Sequence, residues 1–286
     1  MTVRNGAGGM RILRVVGPSD SGKTTLIERL TERLTEEGRV ATVKHIDCEP
    51  TLDTAGKDTA RHRAAGAAET YGVAADGSWF ATGETRSVED VLDSLAPATD
   101  YCLVEGYHEA DLPTVALAGG DHGGETLQRA PDADGVDLDA LLSALDDCAP
   151  YETLESLVAR VSDSPAAEFA GAIATFTGRV RARDDASDPA TELLEFEAYE
   201  GVADQRLCEI ADDLTGRDGV HEVRMHHRTG VVEAGEDIVF VVVLAGHRAE
   251  AFAAVEDGID RLKAEVPLFK KEVTVDGEFW AHQHEH

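Results

Sequence analysis

Lysine is nearly missing from this sequence: six residues among 286, against 20 arginines. Cysteine is scarce as well, and Cys48, Cys102, Cys148 and Cys208 are widely scattered. They form no CxxC pair and no Cys/His pairing at zinc-ligand spacing, so they give no zinc-site signal and buried free thiols are expected. No apolar run approaches the 18 residues of a membrane-crossing helix, and the opening "MTVRNGAGGM" lacks the hydrophobic stretch of a signal peptide. These absences lead to the expectation of a soluble, cytoplasmic protein with no membrane partner. Basic charge is short too, with 26 Lys and Arg against 56 Asp and Glu. No nucleic-acid partner is expected of such a chain.

Acid is abundant, with a formal charge of −30, yet hydrophobic residues make up 42% of the chain, which is the content of a folded protein and not of an acidic tail. Carboxylates spread along the whole length, with arginine preferred to lysine, match the surface chemistry of proteins from salt-loving organisms. At molar salt the Debye length is about 3 Å, so this charge does not repel an anionic ligand at a distance; at low salt it self-repels.

The length accommodates two ordinary domains. The stretch "RAPDADGVDLDALLSALDDCAP" is rich in Asp and Ala and ends at Pro150, with one short amphipathic pattern at Leu138, Leu141, Leu142 and Leu145. It reads as an acidic linker over 131–150 between a domain at 1–130 and another at 151–286. Before it, "RILRVVG", "VATVKH", "YGVAA", "YCLVEGY" and "PTVALAG" alternate with helical patterns over Lys23–Glu37, Thr59–Ala68 and Val88–Leu95, which predicts an α/β domain with a parallel sheet covered by helices. After it, strand patterns mix with helices over Val202–Asp213 and Arg248–Val266 and a hairpin turning at Asp276-Gly277, which predicts α+β.

Three of the six lysines lie in the N-terminal half. One, Lys23, sits in "GPSDSGKTT", Gly17 to Thr25, which fits GxxxxGK[ST] in full after an apolar strand and at the opening of a helix. Such a loop wraps phosphates with its backbone N–H groups, aided by the positive end of the helix. Gly17, Ser21, Gly22, Lys23, Thr24 and Thr25 are therefore the candidate nucleotide residues, with Lys23 at the terminal phosphates and the Thr24 hydroxyl on Mg²⁺. The helix is supported by the stripe Leu26, Leu30, Leu34 and stopped by Gly38. Glu105 ends an apolar strand and belongs at the same carboxyl edge of the sheet, where it would hold the water shell of Mg²⁺ or position a water. No NKxD-like base reader follows, so spacing alone does not separate GTP from ATP.

The segments "GPSDSGKTTLIERL", "VATVKH", "AGKDTARHRAAGAAET" and "LVEGYH", over about residues 10 to 120, resemble the MobB family, the GTP-binding accessory proteins of molybdenum cofactor guanylylation. The resemblance implies GTP with Mg²⁺, weak hydrolysis and dimerisation. That family follows its Lys-His pair with further histidines, whereas this chain reads "KHIDCEP" and keeps only His45.

The other three lysines fall within nine positions, Lys263, Lys270 and Lys271 in "RLKAEVPLFKKE". The preceding helix shows an apolar stripe at Phe252, Val255, Ile259, Leu262 and Val266, with Lys263 beside it in the last turn. Pro267 ends that helix and starts a strand in which Lys270 and Lys271 point to opposite faces. A charge at a helix C-terminus is served equally by arginine, which this chain prefers. Lysine retained here points to ammonium chemistry, a transferable proton or a primary-amine nucleophile. Arg179, Arg181, Arg183, His226, His227, Arg228, His247 and Arg248 add cations at strand ends, and His247-Arg248 opens the helix, where N–H groups are unpaired.

"GAIATFTGRVR", "LEFEAYEGVA", "HHRTGVVEAGEDIVFVVVLAGHRAEAFAA" and "LKAEVPLFKKE", over about residues 152 to 281, resemble the MoaE family, the large catalytic subunits of molybdopterin synthase, an α/β-hammerhead fold. The resemblance implies sulfur transfer from the C-terminal Gly-Gly thiocarboxylate of a small ubiquitin-like carrier to cyclic pyranopterin monophosphate, with no cofactor for that step. It makes Lys263 the principal catalytic lysine and Lys270 its helper. Arg181, His247, Arg248 and Lys271 become substrate-binding residues, some contributed across a homodimer of this domain. A non-catalytic adaptor that docks the ubiquitin-like partner under nucleotide control is the alternative. A small kinase would need lid arginines, for which Arg61 and Arg63 are the candidates. If the dense carboxylates repel one another at low salt, raising KCl from about 0.1 M to about 2 M lifts the thermal midpoint by about 5 °C or more in calorimetry, and a flat or falling midpoint contradicts that repulsion.

Overall fold

The computed structural model describes residues 8–48, 57–83, 85–183, 185, 188–198, 201–275 and 277–281. The chain divides into two compact units, Met1–Tyr151 and Glu152–His286.

The first unit runs β1 (Arg11–Val16), α1 (Lys23–Leu34), β2 (Val40–Lys44), α2 (Asp58–Ala64), β3 (Glu69–Val73), β4 (Trp79–Gly83), α3 (Val88–Leu95), β5 (Tyr101–Glu105), β6 (Thr114–Leu117), β7 (Thr126–Ala130) and α4 (Leu138–Asp147). Five strands form one sheet in the order β2-β5-β1-β6-β7, and every neighbouring pair in it is parallel. Strand β1 lies at the centre and is buried almost throughout, as a strand covered on both faces must be. Its Leu13 and Val15 pack with Leu26, Leu30 and Leu34 of α1 and Leu141 and Leu145 of α4. Ile12 packs on the other face with Val88 and Leu92 of α3.

Three expectations are corrected here. "YGVAA" does not join the main sheet: β3 pairs antiparallel with β4 in a separate two-stranded ribbon. The supposed linker 131–150 carries α4, which is capped by Asp137 and buried through Leu141 and Leu145. Its acids lie on the exposed side of an amphipathic helix, which is why composition alone reads as linker. Of the four cysteines only Cys102 is fully buried, while Cys48 and Cys208 are exposed. Burial pushes the Cys102 thiol up to about 12, which makes it inert.

The second unit runs α5 (Leu154–Ser162), a short 3₁₀ turn (Pro165–Phe169), β8 (Ala172–Arg179), β9 (Thr191–Ala198), α6 (Val202–Thr215), β10 (Val220–His227), β11 (Gly230–Glu233), β12 (Asp237–Ala245), α7 (Arg248–Glu265), β13 (Leu268–Thr274) and β14 (Gly277–Ala281). This is the expected α+β mixture; Asp276 of the expected turn lies outside the described residues. Strands β10-β12-β8 form an antiparallel sheet. One face of β12, Val239, Val241 and Val243, packs under α6 and α7. The other, Phe240, Val242 and Leu244, packs on Leu157 and Val161 of α5. Burial on both faces explains the unbroken run "IVFVVVLA". A second antiparallel sheet, β11-β9-β13-β14, has its own small core of Val180, Leu194, Phe196 and Val232. On α7 the buried positions are Ala251, Ala254, Val255, Gly258, Ile259 and Leu262. Phe252, expected in the stripe, is 66% exposed, because small residues line the helix face that meets the sheet.

If α4 belongs to the first core, Leu141→Ala removes a buried side chain and costs about 2–5 kcal/mol in urea denaturation. A change near zero would restore the linker reading.

Candidate functional sites

The nucleotide candidates gather where β1 ends. Gly17 has φ 154°, and a Cβ there would meet the Leu117 carbonyl oxygen at 2.8 Å. Gly22 caps α1 at φ 88°, a conformation that excludes most side chains, and a Cβ would lie 2.9 Å from Ala133 Cβ. The Ser21 hydroxyl donates to the Pro18 carbonyl at 2.9 Å, tightening the loop. The Lys23 ammonium donates to the carbonyls of Gly17 at 2.8 Å and Pro18 at 2.7 Å. Thr24 and Thr25 are exposed on the first turn of α1, and the Thr24 hydroxyl donates to Glu105 Oε2 at 3.4 Å. A hydroxyl and a carboxylate side by side at a phosphate loop are the hard oxygens that suit Mg²⁺.

Glu105 also accepts from the Lys44 ammonium through Oε1. The ring of His45 meets Tyr107 edge-on, with centroids 5.0 Å apart, and its Nδ1 lies 3.3 Å from Asp47. Gly17, Lys23, Lys44, His45, Glu105 and Tyr107 line one cleft of about 1290 Å³, ample for a nucleotide against the roughly 300–1,000 Å³ of common ligand pockets. Of the proposed kinase arginines, Arg61 and Arg63 both lie on α2, and neither lines this cleft.

Sequence reasoning missed Arg14. It is 0% exposed in the middle of the apolar strand β1. Its guanidinium donates to the carbonyls of Tyr107 at 2.6 Å, His108 at 3.2 Å and Ala110 at 2.5 Å, to the Thr114 hydroxyl at 2.9 Å and to the carbonyl of Gly123. Burial pulls its pKa down, opposed by Asp111. The segment that walls the cleft is thus gathered on one buried cation; the available signal was a lone arginine inside "ILRVV".

In the second unit Lys263 is exposed in the last turn of α7 and makes no ion pair or hydrogen bond among the described residues. Lys270 lies directly across from Phe196 of β9, with its Nζ 3.8 Å from Glu272 Oε2, and the Thr191 hydroxyl donates to the other oxygen of Glu272 at 2.5 Å. Lys271 is on the opposite face, as expected, 3.7 Å from Glu195. Arg181 is exposed just beyond β8. His247 and Arg248 open α7, are exposed, and have no side-chain partner among the described residues. Fifteen residues of helix separate Arg248 from Lys263, about 22 Å at 1.5 Å per residue. One copy of the chain therefore does not bring these two ends of α7 to one point.

His226 and His227, taken from sequence as cations, are pushed toward the neutral form. Burial lowers both, and His227 falls to about 4. The His227 ring meets Phe196 edge-on at 4.8 Å, with its Nδ1 2.7 Å from the Arg228 carbonyl. Alternate residues of β10 face opposite sides of the sheet, and His226 stacks on Phe240. Arg179 is occupied by Asp237 at 2.9 Å, and Arg228 by the Asp237 carbonyl at 3.1 Å.

A phosphate-loop α/β unit followed by an α+β unit with exposed cations at both ends of its long helix defines a two-domain chain whose first domain is of nucleotide-binding type. Residues 12–136 match the family model described as molybdopterin guanine dinucleotide synthesis protein B, MobB, and residues 149–265 match that of the MoaE protein. Lys263 is inside the second match, and Lys270 lies beyond its end. A Haloferax volcanii protein named "Probable molybdopterin synthase" is 50% identical over 273 residues, covering 96% of this chain and 99% of that one. The molybdopterin synthase catalytic subunit of Caulobacter vibrioides is 42% identical over 113 residues, 40% of this chain and 73% of that protein. A crystal structure of molybdopterin synthase from Staphylococcus aureus is 32% identical, covering 46% of this chain and 92% of that one, with a TM-score of 0.41. The chain belongs to the molybdopterin synthase family, with a MobB region joined to a MoaE region.

The half-buried His227 has a consequence for pH. Its folded pKa lies below the ordinary 6.5, so its contribution to stability is present above about 6.5 and is lost as pH falls toward 4. Replacing it by Gln removes that part of the acid sensitivity. Between pH 7 and 4 the wild type should lose up to roughly 3 kcal/mol more than His227→Gln in urea denaturation. Parallel losses would contradict the neutral assignment.

Proposed function

We propose that the second unit is the catalytic part of a molybdopterin synthase. It takes sulfur from the C-terminal thiocarboxylate of a small ubiquitin-like carrier and places it on cyclic pyranopterin monophosphate, twice per molybdopterin dithiolene. The observation that carries this reading is the amino group of Lys263, left without an acidic partner among the described residues of a chain holding 56 acids. An unpaired amine on a helix end is free to exchange a proton with the reacting centre or to attack the carbonyl of the thiocarboxylate. Lys270, beside Phe196 on the inner face of its sheet, is the second cation and would stabilise the substrate or assist proton transfer. Arg181, Lys271, His247 and Arg248 would hold the phosphate and the acidic carrier tail.

Because the two ends of α7 are far apart, His247 and Arg248 would serve Lys263 of a second copy, so a homodimer is part of this reading. Substrate and carrier tail are both anions, and cations already held on the protein would stabilise them with little reorganisation.

In the first unit we assign GTP to the phosphate loop, with Thr24 and Glu105 as the residues that would hold Mg²⁺. The ion would neutralise charge on the terminal phosphates, where Lys23 acts beside it. Weak hydrolysis and a cytoplasmic location complete the proposal.

The test mixes the full chain with cyclic precursor and thiocarboxylated carrier and measures molybdopterin. Lys263→Ala should lower turnover by at least about 100-fold while carrier binding persists. Unchanged turnover rejects catalysis by Lys263. Carrier binding without any product from the wild type identifies an adaptor instead.

A further inference from the structure

Lys44 and Glu105 end neighbouring parallel strands in register, and the His45 N–H donates to the Glu105 carbonyl at 2.9 Å, which locks both backbones at the lip of the cleft. Their side chains are unequal. That of Glu105 is 12% exposed and that of Lys44 is 56% exposed, so the carboxylate is fixed and the ammonium is on a mobile stem. One oxygen of Glu105 faces Thr24 on the phosphate-loop helix and the other is covered by Lys44. Lys23 is likewise engaged by the loop itself, through the Gly17 and Pro18 carbonyls.

We propose that Lys44 is an internal stand-in for the divalent cation of the nucleotide site and a second phosphate-binding lysine, which Glu105 holds aside until a metal ion displaces it. This rests on the nucleotide reading above. Without the metal, the ammonium neutralises a carboxylate that would otherwise repel the incoming phosphates. With the metal bound, Glu105 has another cation, and the released ammonium finds its nearest negative charge on the phosphates in the same cleft. A lysine suits this exchange and an arginine does not, since a guanidinium grips both carboxylate oxygens at once and would exclude the metal. In a chain that uses arginine for most of its cations, lysine at this position fits a contact built to be broken.

The experiment titrates the full chain with a fluorescent GTP analogue, mant-GTP, from EDTA to about 10 mM free Mg²⁺. Lys44→Gln should lower the Mg²⁺ concentration at half-maximal binding about fivefold, because the competing cation is gone, and should weaken binding in EDTA. Lys44→Arg should raise the Mg²⁺ requirement above that of the wild type. The exposed position of Lys44 lets both variants fold, which far-UV circular dichroism checks. An unchanged or higher Mg²⁺ requirement in Lys44→Gln overturns the exchange while leaving the nucleotide site intact. Complete loss of binding by that variant at saturating Mg²⁺ also overturns it, since Lys44 would then be an obligatory ligand. Failure of the folded wild type to bind mant-GTP at any Mg²⁺ concentration sinks the nucleotide reading and this inference together.

Discussion

A chain with 56 acidic and 26 basic residues holds an anion most readily where it withholds a cation from its own carboxylates, or holds one loosely. Among the described residues, most of the arginines are spent internally. Arg206 bridges Glu209 and Glu265, Arg261 ties Glu265 to Asp213, and Arg217 meets Asp257. These pairs fasten α6 to α7 and leave little field for a ligand. Lys23, Lys263, His247 and Arg248 stand differently: among the described residues none of them faces a carboxylate. The distribution of pairing, more than the count of charges, sets which cations remain available to an anion.

The same constraint separates the two lysine groups by mechanism. Lys23 is held by carbonyl oxygens, which a phosphate outcompetes because it carries full charge. Lys263 is held by nothing described, on a helix whose C-terminus already favours a cation. Lys270 is intermediate, 3.8 Å from a carboxylate that a threonine hydroxyl also engages. A weakly held amine beside a strongly held acid is a geometry that a ligand can rearrange at small cost.

Local features of the fold were legible before any coordinates. The phosphate loop, the α1 stripe and the α7 boundaries follow from residues within a few positions of one another, where period and steric rules act directly. Strand β7 and the β3–β4 ribbon were not legible, because pairing is decided by distant partners and by which edge remains open. Phe252 was misplaced because a 3-4 pattern of large residues outweighs the alanines and glycine that actually meet the sheet. His226 and His227 look like cations in a string and become neutral only through burial that tertiary packing supplies. Lys44 and Glu105 are 61 residues apart, so their pairing appears only once β2 and β5 lie side by side.

Arg14 shows how a single sequence oddity can organise a site it does not enter. A guanidinium sealed in a sheet is costly unless its donors are satisfied, and backbone carbonyls satisfy them without adding a compensating charge. The carbonyls of residues 107, 108 and 110 come from the loop between β5 and β6, and that of residue 123 from the loop between β6 and β7, neither of which has a helix or strand of its own. Each bond to Arg14 therefore fixes a stretch that otherwise has few reasons to adopt one shape. Because Tyr107 and His108 wall the cleft, the burial of one cation deep in β1 sets the position of the surface that faces the phosphates. An arginine does this where lysine cannot, since only a planar fork reaches carbonyls on several sides at once.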